Sequence, residues 1–213
     1  MAAVVLRELG LVDYEPTLRA MREFTDGRDA DTPDELWLLQ HPRVFTQGQA
    51  GKAEHILAAG DIPVIQVDRG GQVTYHGPGQ LVGYPVVDLA PGRKDIRRYV
   101  ADLQRVLVDL LAELGIDGEG GGEQSRIGVW VGERKIASIG VHISRWITTH
   151  GFALNVETDL SYFRGIVPCG LQGVRMTSIR DLAGEAPPLE SVAARCAHHF
   201  GRVFDRPMAG AEA

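Results

Sequence analysis

Cysteine is scarce: only Cys169 and Cys196 occur in 213 residues. That excludes a disulfide scaffold and a Cys-rich zinc module, and two free thiols point to a reducing compartment. Long apolar runs are missing too, since no window approaches the roughly 20 residues a membrane-spanning helix needs. The first fourteen residues carry Arg7, Glu8 and Asp13 within their apolar stretch. They therefore lack the basic start, apolar run and small-residue cleavage site of a signal peptide. Basic charge is in deficit, with 22 Lys and Arg against 28 Asp and Glu for a net −6 and a pI near 5.6. This argues against a dominant nucleic-acid or anionic-membrane partner, though a local basic face stays open. A soluble, cytoplasmic protein is expected.

What is present is an ordinary globular composition, 44% apolar and 23% charged, which excludes disorder. The length suits one substantial domain, expected to span residues 1–213. Helical spacing is read over Asp13 to Thr25, Tyr99 to Leu114 and Leu189 to Phe204. Strands are predicted at Glu35 to Gln40, Ile62 to Val67 and Leu81 to Leu89. A hairpin is predicted from Ile127 to Val131 and Lys135 to Ser144, and a further strand at Ile147 to Val156. Strands grouped in hairpins, with helices between and after them, predict an α+β fold with a mixed sheet and flanking helices.

Three segments carry more unusual residues than folding requires. In RGGQVTYHGPGQ, Arg69 to Gln80, four glycines allow tight turns and close approach to a ligand. Arg69, Thr74, Tyr75, His76 and Gln80 supply polar groups, yet a glycine-rich hairpin turn would look the same. Neither a Walker A ending nor a GxGxxG fingerprint is present, so no phosphate cradle is indicated. In KIASIG, Lys135 to Gly140, strand alternation puts Lys135 on the face of Ala137, Ile139, Val141 and Ile143. If that face is the core, burial favours the free amine, a general base; otherwise Lys135 is a solvated lysine beside a turn. In GIVPCG, Gly165 to Gly170, Pro168 and Gly170 predict a constrained turn. Cys169 there is either an accessible nucleophile, with backbone N–H groups nearby for a developing oxyanion, or a small buried hydrophobe. Cys196 falls on the apolar stripe of the last helix and reads as core. His41, His55, His150, His198 and His199 show no HExxH or other ligand spacing, and there is no CxxC pair, so no metal is expected. A GxSxG elbow is absent as well.

The stretches RGGQVTYHGPGQLVGYPVVDL, GVWVGERKIASIGVHISR and HGFALNVETDLSYFRGIVPCG, in that order, resemble the octanoyltransferases of lipoate biosynthesis. GLVDYEPTL and HPRVFTQG also match, so the resemblance runs from about Leu9 to about Leu182. It implies a single-domain fold like that of biotin and lipoate protein ligases. It implies transfer of an octanoyl group from octanoyl-acyl carrier protein to a lysine of lipoyl domains, on 2-oxoacid dehydrogenase E2 subunits and glycine cleavage H protein. The family's cysteine falls on Cys169 and its lysine on Lys135, a dyad passing through an acyl-cysteine intermediate with no cofactor. Its acyl-binding segments fall on Arg69, Gly70, Gly71, Gln72, Val73, Thr74, Tyr75 and His76, on Ser138, Ile139 and Gly140, and on Gly151, Phe152 and Ala153. The acyl tunnel is expected to be lined partly by Val73, Tyr75, Ile139 and Phe152, in a monomeric enzyme. Trp146 departs from the family, where many relatives have a small residue, and is expected to reshape the tunnel or a nearby surface. For the acidic donor, a local basic patch is expected from Arg145, Arg164 and Arg175, with Arg93, Lys94, Arg97 and Arg98 as a second cluster. An ATP-dependent ligase and a non-catalytic acyl- or carrier-binding module on the same fold are the alternatives.

Overall fold

The computed structural model describes residues 3–122, 126–171 and 173–210. Alternation of apolar side chains builds the central strands. In β2 (Asp34–Gln40) Leu36 and Leu38 point to one face, Trp37 and Leu39 to the other. In β6 (Gln80–Val86) Leu81 joins the first face, while Val82, Tyr84 and Val86 join the second. Both faces are covered, which is why these segments read as continuous apolar runs rather than half-polar strands.

Nine strands form the large mixed sheet among the described residues. β1 (Val4–Leu11) lies between β2 and β12 (Met208–Gly210), parallel to both. β6 is antiparallel to β2 and to β10 (Ile147–Asn155). Beyond β10 come β9 (Arg134–Ser144), β8 (Gly128–Val131) and β7 (Glu119–Gly120), each antiparallel to its neighbour. β11 (Arg175–Met176) adds to β9 in parallel. A small second sheet runs in the order β4 (Val64–Gln66), β3 (Val44–Gln47), β5 (Val73–His76).

On one face lie α2 (Ile96–Glu113) and α4 (Leu189–Phe204), packed on each other. The three- and four-residue spacing of Tyr99, Leu103, Val106, Leu107, Leu110 and Leu111 buries one stripe of α2, at about 2 kcal/mol of gross transfer energy per side chain. The helix starts where the Asp95 side chain accepts from the Arg98 N–H. Cys196 sits in this core, fully buried, and burial pushes its thiol up to about 12. The other face is covered by α1 (Tyr14–Asp26), whose Tyr14, Leu18 and Met21 meet Trp37, Val82 and Tyr84. A short α3 (Ile179–Ala183) precedes α4. No helix of the described residues is long and apolar enough to cross a membrane.

The α+β expectation holds, and the predicted helices and hairpin are where spacing put them. Several features differ, among them the unpredicted β3, β11 and α3. β1 and β12, at the sheet's edge, carried no clear alternation. The Arg69–Gln80 segment is not one turn but a tight bend at residues 68–72, then β5, then a turn into β6.

Candidate active site

Lys135 enters the interior because of a slip in the β8–β9 hairpin. Val129 pairs with Ala137 but the next residue, Trp130, pairs with Lys135, which leaves Ile136 without a partner. Such a bulge breaks strict alternation, so Lys135 is not in phase with Ala137, Ile139 and Val141 as simple spacing required. It is nonetheless only 1% exposed. Its Nζ donates to the carbonyl of Ile127 at 2.8 Å and to Cys169 Sγ at 2.9 Å, and lies 5.4 Å from the centre of the Trp130 ring. Space for the stem comes from Gly128, at φ +136°. A Cβ there would stand 2.6 Å from Lys135 Cε and 2.4 Å from the Ala137 carbonyl.

The partner thiol sits on a single 3-10 turn, Pro168–Gly170. Cys169 adopts φ 57°, ψ 15°, a left-handed conformation costing a non-glycine residue on the order of 1 kcal/mol. The turn is held because Val167 N–H donates to His55 O at 2.8 Å, and the N–H groups of Gly170 and Leu171 donate to Val167 O and Pro168 O. Those last two donors are therefore used inside the turn, where the sequence had suggested free N–H groups for an oxyanion. Cys169 itself is half-buried, unlike Cys196.

Lys135 and Cys169 both face a cavity of about 930 Å³. From the glycine-rich bend and β5 come Arg69, Gly70, Gly71, Gln72, Val73, Thr74 and His76. β9 supplies Ser138, Ile139 and Gly140, and β10 supplies Gly151, Phe152 and Ala153. The bend lies directly on β9: Gly70 N–H donates to Val141 O at 2.9 Å, and a Cβ on Gly140 would come within 3.0 Å of Gly70 O. Tyr75 is the exception. It points the other way, 1% exposed, into a cluster with Phe45, Tyr162 and Phe163, because alternation along β5 sends it opposite to Thr74 and His76. Trp146 is not in the cavity wall either. It sits in the β9–β10 turn with the Lys94 ammonium 5.8 Å from its ring centre.

Several lining residues were not read from the sequence. Ile96 and Val100 of α2, Ile127 and Val141 extend the apolar wall, and Tyr14, Tyr84 and His150 form a polar one. Tyr14, Tyr84, Ile96 and Val100 come from segments far from the motifs, so no local motif announces them. The polar wall is neutral. Burial pulls His76 down to about 3, with the Arg69 charge adding to it, while its ring bridges Thr46 and Gln80. Burial pushes the Tyr14 hydroxyl up to about 12 and raises Tyr84 as well. Burial also lowers His150, which bonds to Asp68 at 2.8 Å. Hydrogen bonding to His150 and the nearby Arg22 hold Asp68 well below the usual carboxylate range. Arg69 and Lys135 are the basic side chains in the described cavity wall, which holds no Asp or Glu. Arg69 is satisfied by the Thr46 carbonyl and hydroxyl and by Gly70 O, at 2.7 to 2.9 Å. No group of three or more His, Cys, Asp or Glu side chains gathers to hold a metal among the described residues.

Residues 13–201 match the model of the lipoyl protein ligase A/B catalytic domain. The chain belongs to this family. The octanoyltransferase of Ectopseudomonas mendocina is 53% identical over 195 residues, 92% of this chain and 94% of that protein. The fold is shared more widely. A chain in the structure of a bi-partite lipoate protein ligase and its E2 lipoyl domain from Thermoplasma acidophilum superposes with a TM-score of 0.78. It covers 100% of this chain and 87% of its own at 19% identity. The biotin protein ligase of Aquifex aeolicus reaches 0.58 at 11% identity, over 96% of this chain and 70% of its own. The lipoyl protein ligase A/B family is thus recovered by sequence, and its fold by shape.

Proposed function

We propose that this chain is an octanoyltransferase of lipoate biosynthesis that works through an acyl-Cys169 thioester. The acyl acceptor is a lysine on a lipoyl domain, including those of 2-oxoacid dehydrogenase E2 subunits and glycine cleavage H protein. The donor is octanoyl-acyl carrier protein, and the enzyme acts as a cytoplasmic monomer. The observation carrying the reading is the 2.9 Å contact from Lys135 Nζ to Cys169 Sγ at the wall of a cavity lined in part by apolar side chains.

An ammonium against a thiol favours the thiolate, which is the nucleophile. The Cys169 thiolate attacks the octanoyl thioester carbon and forms the acyl-Cys169 bond as the bond to the carrier's sulfur breaks. Lys135, holding the proton that came from the thiol, gives it to that departing sulfur. As a free amine it then takes a proton from the incoming lysine amine, which attacks acyl-Cys169 and leaves as the amide. The thiolate beside an ammonium is restored, and the net reaction is thioester plus amine to amide plus thiol. Arg69 and the neutral His76, with Thr74, hold the polar end of the cavity, while Val73, Ile139 and Phe152 line the side that takes the acyl chain.

A ligase that activates a free acid with ATP needs no cysteine, so ATP dependence separates the two readings. Purified protein should transfer octanoate from the carrier thioester to a lipoyl domain without ATP, and should not use free octanoate with ATP. The opposite pattern would make it a ligase.

A further inference from the structure

The turn bearing Cys169 has an outer side as well as an inner one. Along it runs a groove of about 670 Å³, with Leu57, Phe163 and Leu171 in its lining and Arg134, Arg164 and Arg175 around them. Leu171 lines both this groove and the thiol cavity, so the two meet beside Cys169. Leu57 is 61% exposed, an apolar side chain with little cover.

The grouping of the three arginines is the distinctive feature. All three are exposed, and none makes a hydrogen bond or ion pair among the described residues, whereas Arg7, Arg28, Arg93, Arg180 and Arg195 each hold a carboxylate. Asp159 feels the charge of Arg164 without bridging it. Arg134 and Arg175 are register partners on the parallel strands β9 and β11, so two like charges lie side by side on neighbouring strands. In a chain of net −6, this is a concentration of uncompensated positive charge at the door of the reactive thiol. Arg145, which the sequence grouped with Arg164 and Arg175, is elsewhere. It lies at the far end of β9, ten residues from Lys135 or about 30 Å along the strand, and pairs with Asp26.

We infer that this groove docks the acidic carrier protein that presents the donor thioester. Its carboxylates meet Arg134, Arg164 and Arg175, its apolar surface covers Leu57, and its acyl-bearing arm passes Leu171 to reach Cys169. The inference rests on the transferase reading for the identity of the donor. Charge complementarity of this kind speeds encounter and selects the partner more than it alters chemistry.

The test compares wild type with Arg134→Glu/Arg175→Glu and with Arg164→Glu, using octanoyl carrier protein or octanoyl-pantetheine as donor and one lipoyl domain as acceptor. The docking surface predicts a KM for the carrier raised about tenfold or more with a flattened salt dependence, and an unchanged KM for octanoyl-pantetheine. An unchanged carrier KM in every variant would overturn it, as would a rise in the KM of the lipoyl domain instead. Binding of the octanoyl carrier to Cys169→Ser, read by fluorescence anisotropy, reports docking without turnover. Binding that is lost with the arginines in a protein that transfers nothing would keep the groove and remove the transferase reading.

Discussion

Gly128→Ala isolates the contact on which the proposed chemistry depends. The new Cβ would stand 2.6 Å from Lys135 Cε and 2.4 Å from the Ala137 carbonyl, against about 3.5 Å for a comfortable separation. The backbone oxygen cannot yield easily, so the lysine stem must move by about 1 Å and carry Nζ away from a sulfur now 2.9 Å distant. Misplacing reacting groups by about 1 Å costs on the order of 10²-fold in rate, or about 2.7 kcal/mol in the barrier. Stability should drop as well, by about 2 kcal/mol for an alanine at φ +136°, which lowers Tm by about 4–8 °C in a chain of this size. Gly132→Ala is the control. It has φ +58° and nothing within 4 Å of the added Cβ, so it carries backbone strain without touching the lysine. The assay is transfer from an octanoyl thioester to a lipoyl domain at a temperature where both variants are folded by circular dichroism. Gly128→Ala should lose about two orders of magnitude in kcat and Gly132→Ala almost none. A folded Gly128→Ala at wild-type rate would refute the reasoning.

Two further outcomes follow from the buried groups. His76 and His41 are pulled by burial from 6.5 to about 3 and about 4, so below pH 6.5 the unfolded chain takes up protons that the folded one refuses. Stability is therefore full above about pH 6.5 and lost as pH falls toward 4 and 3, by about 2 kcal/mol per histidine at pH 5. Urea unfolding should show this slope between pH 7 and pH 5, and an equal midpoint at both would contradict it. Lys135→Met keeps the length of the stem and removes its charge, so alkylation of Cys169 at pH 7 should slow by about tenfold or more. An unchanged alkylation rate would take Lys135 out of its proposed role.

The candidate pair Lys135 and Cys169 drew notice because each sits in a short motif whose composition is odd for its element, a lysine at the head of an apolar strand and a thiol between proline and glycine, and the family resemblance then joined them. Their surroundings were less legible. The burial of Lys135 was left open by the spacing, because alternation cannot see the bulge at Ile136 that sets the register. Tyr75 was read with its neighbours as lining, yet a strand of four residues sends alternate side chains apart, and Tyr75 joins Phe45 and Phe163 instead. Tyr14, Tyr84, His150, and the α2 pair Ile96 and Val100 reach the cavity from four different elements, an assembly that topology produces and periodicity does not record. Val100 in particular belongs to the apolar register of α2, where nothing local separates a core position from a tunnel wall. Cys196 shows the converse, since one helical stripe sufficed to assign it to the core.

The most direct measurement is the intact mass of the protein after brief exposure to octanoyl-acyl carrier protein with no acceptor present. The account predicts one added octanoyl group on wild type and on Cys196→Ser, released when a lipoyl domain is supplied, and none on Cys169→Ser. A Cys169→Ser protein that still carries the adduct, or that transfers octanoate at the wild-type rate, would contradict it.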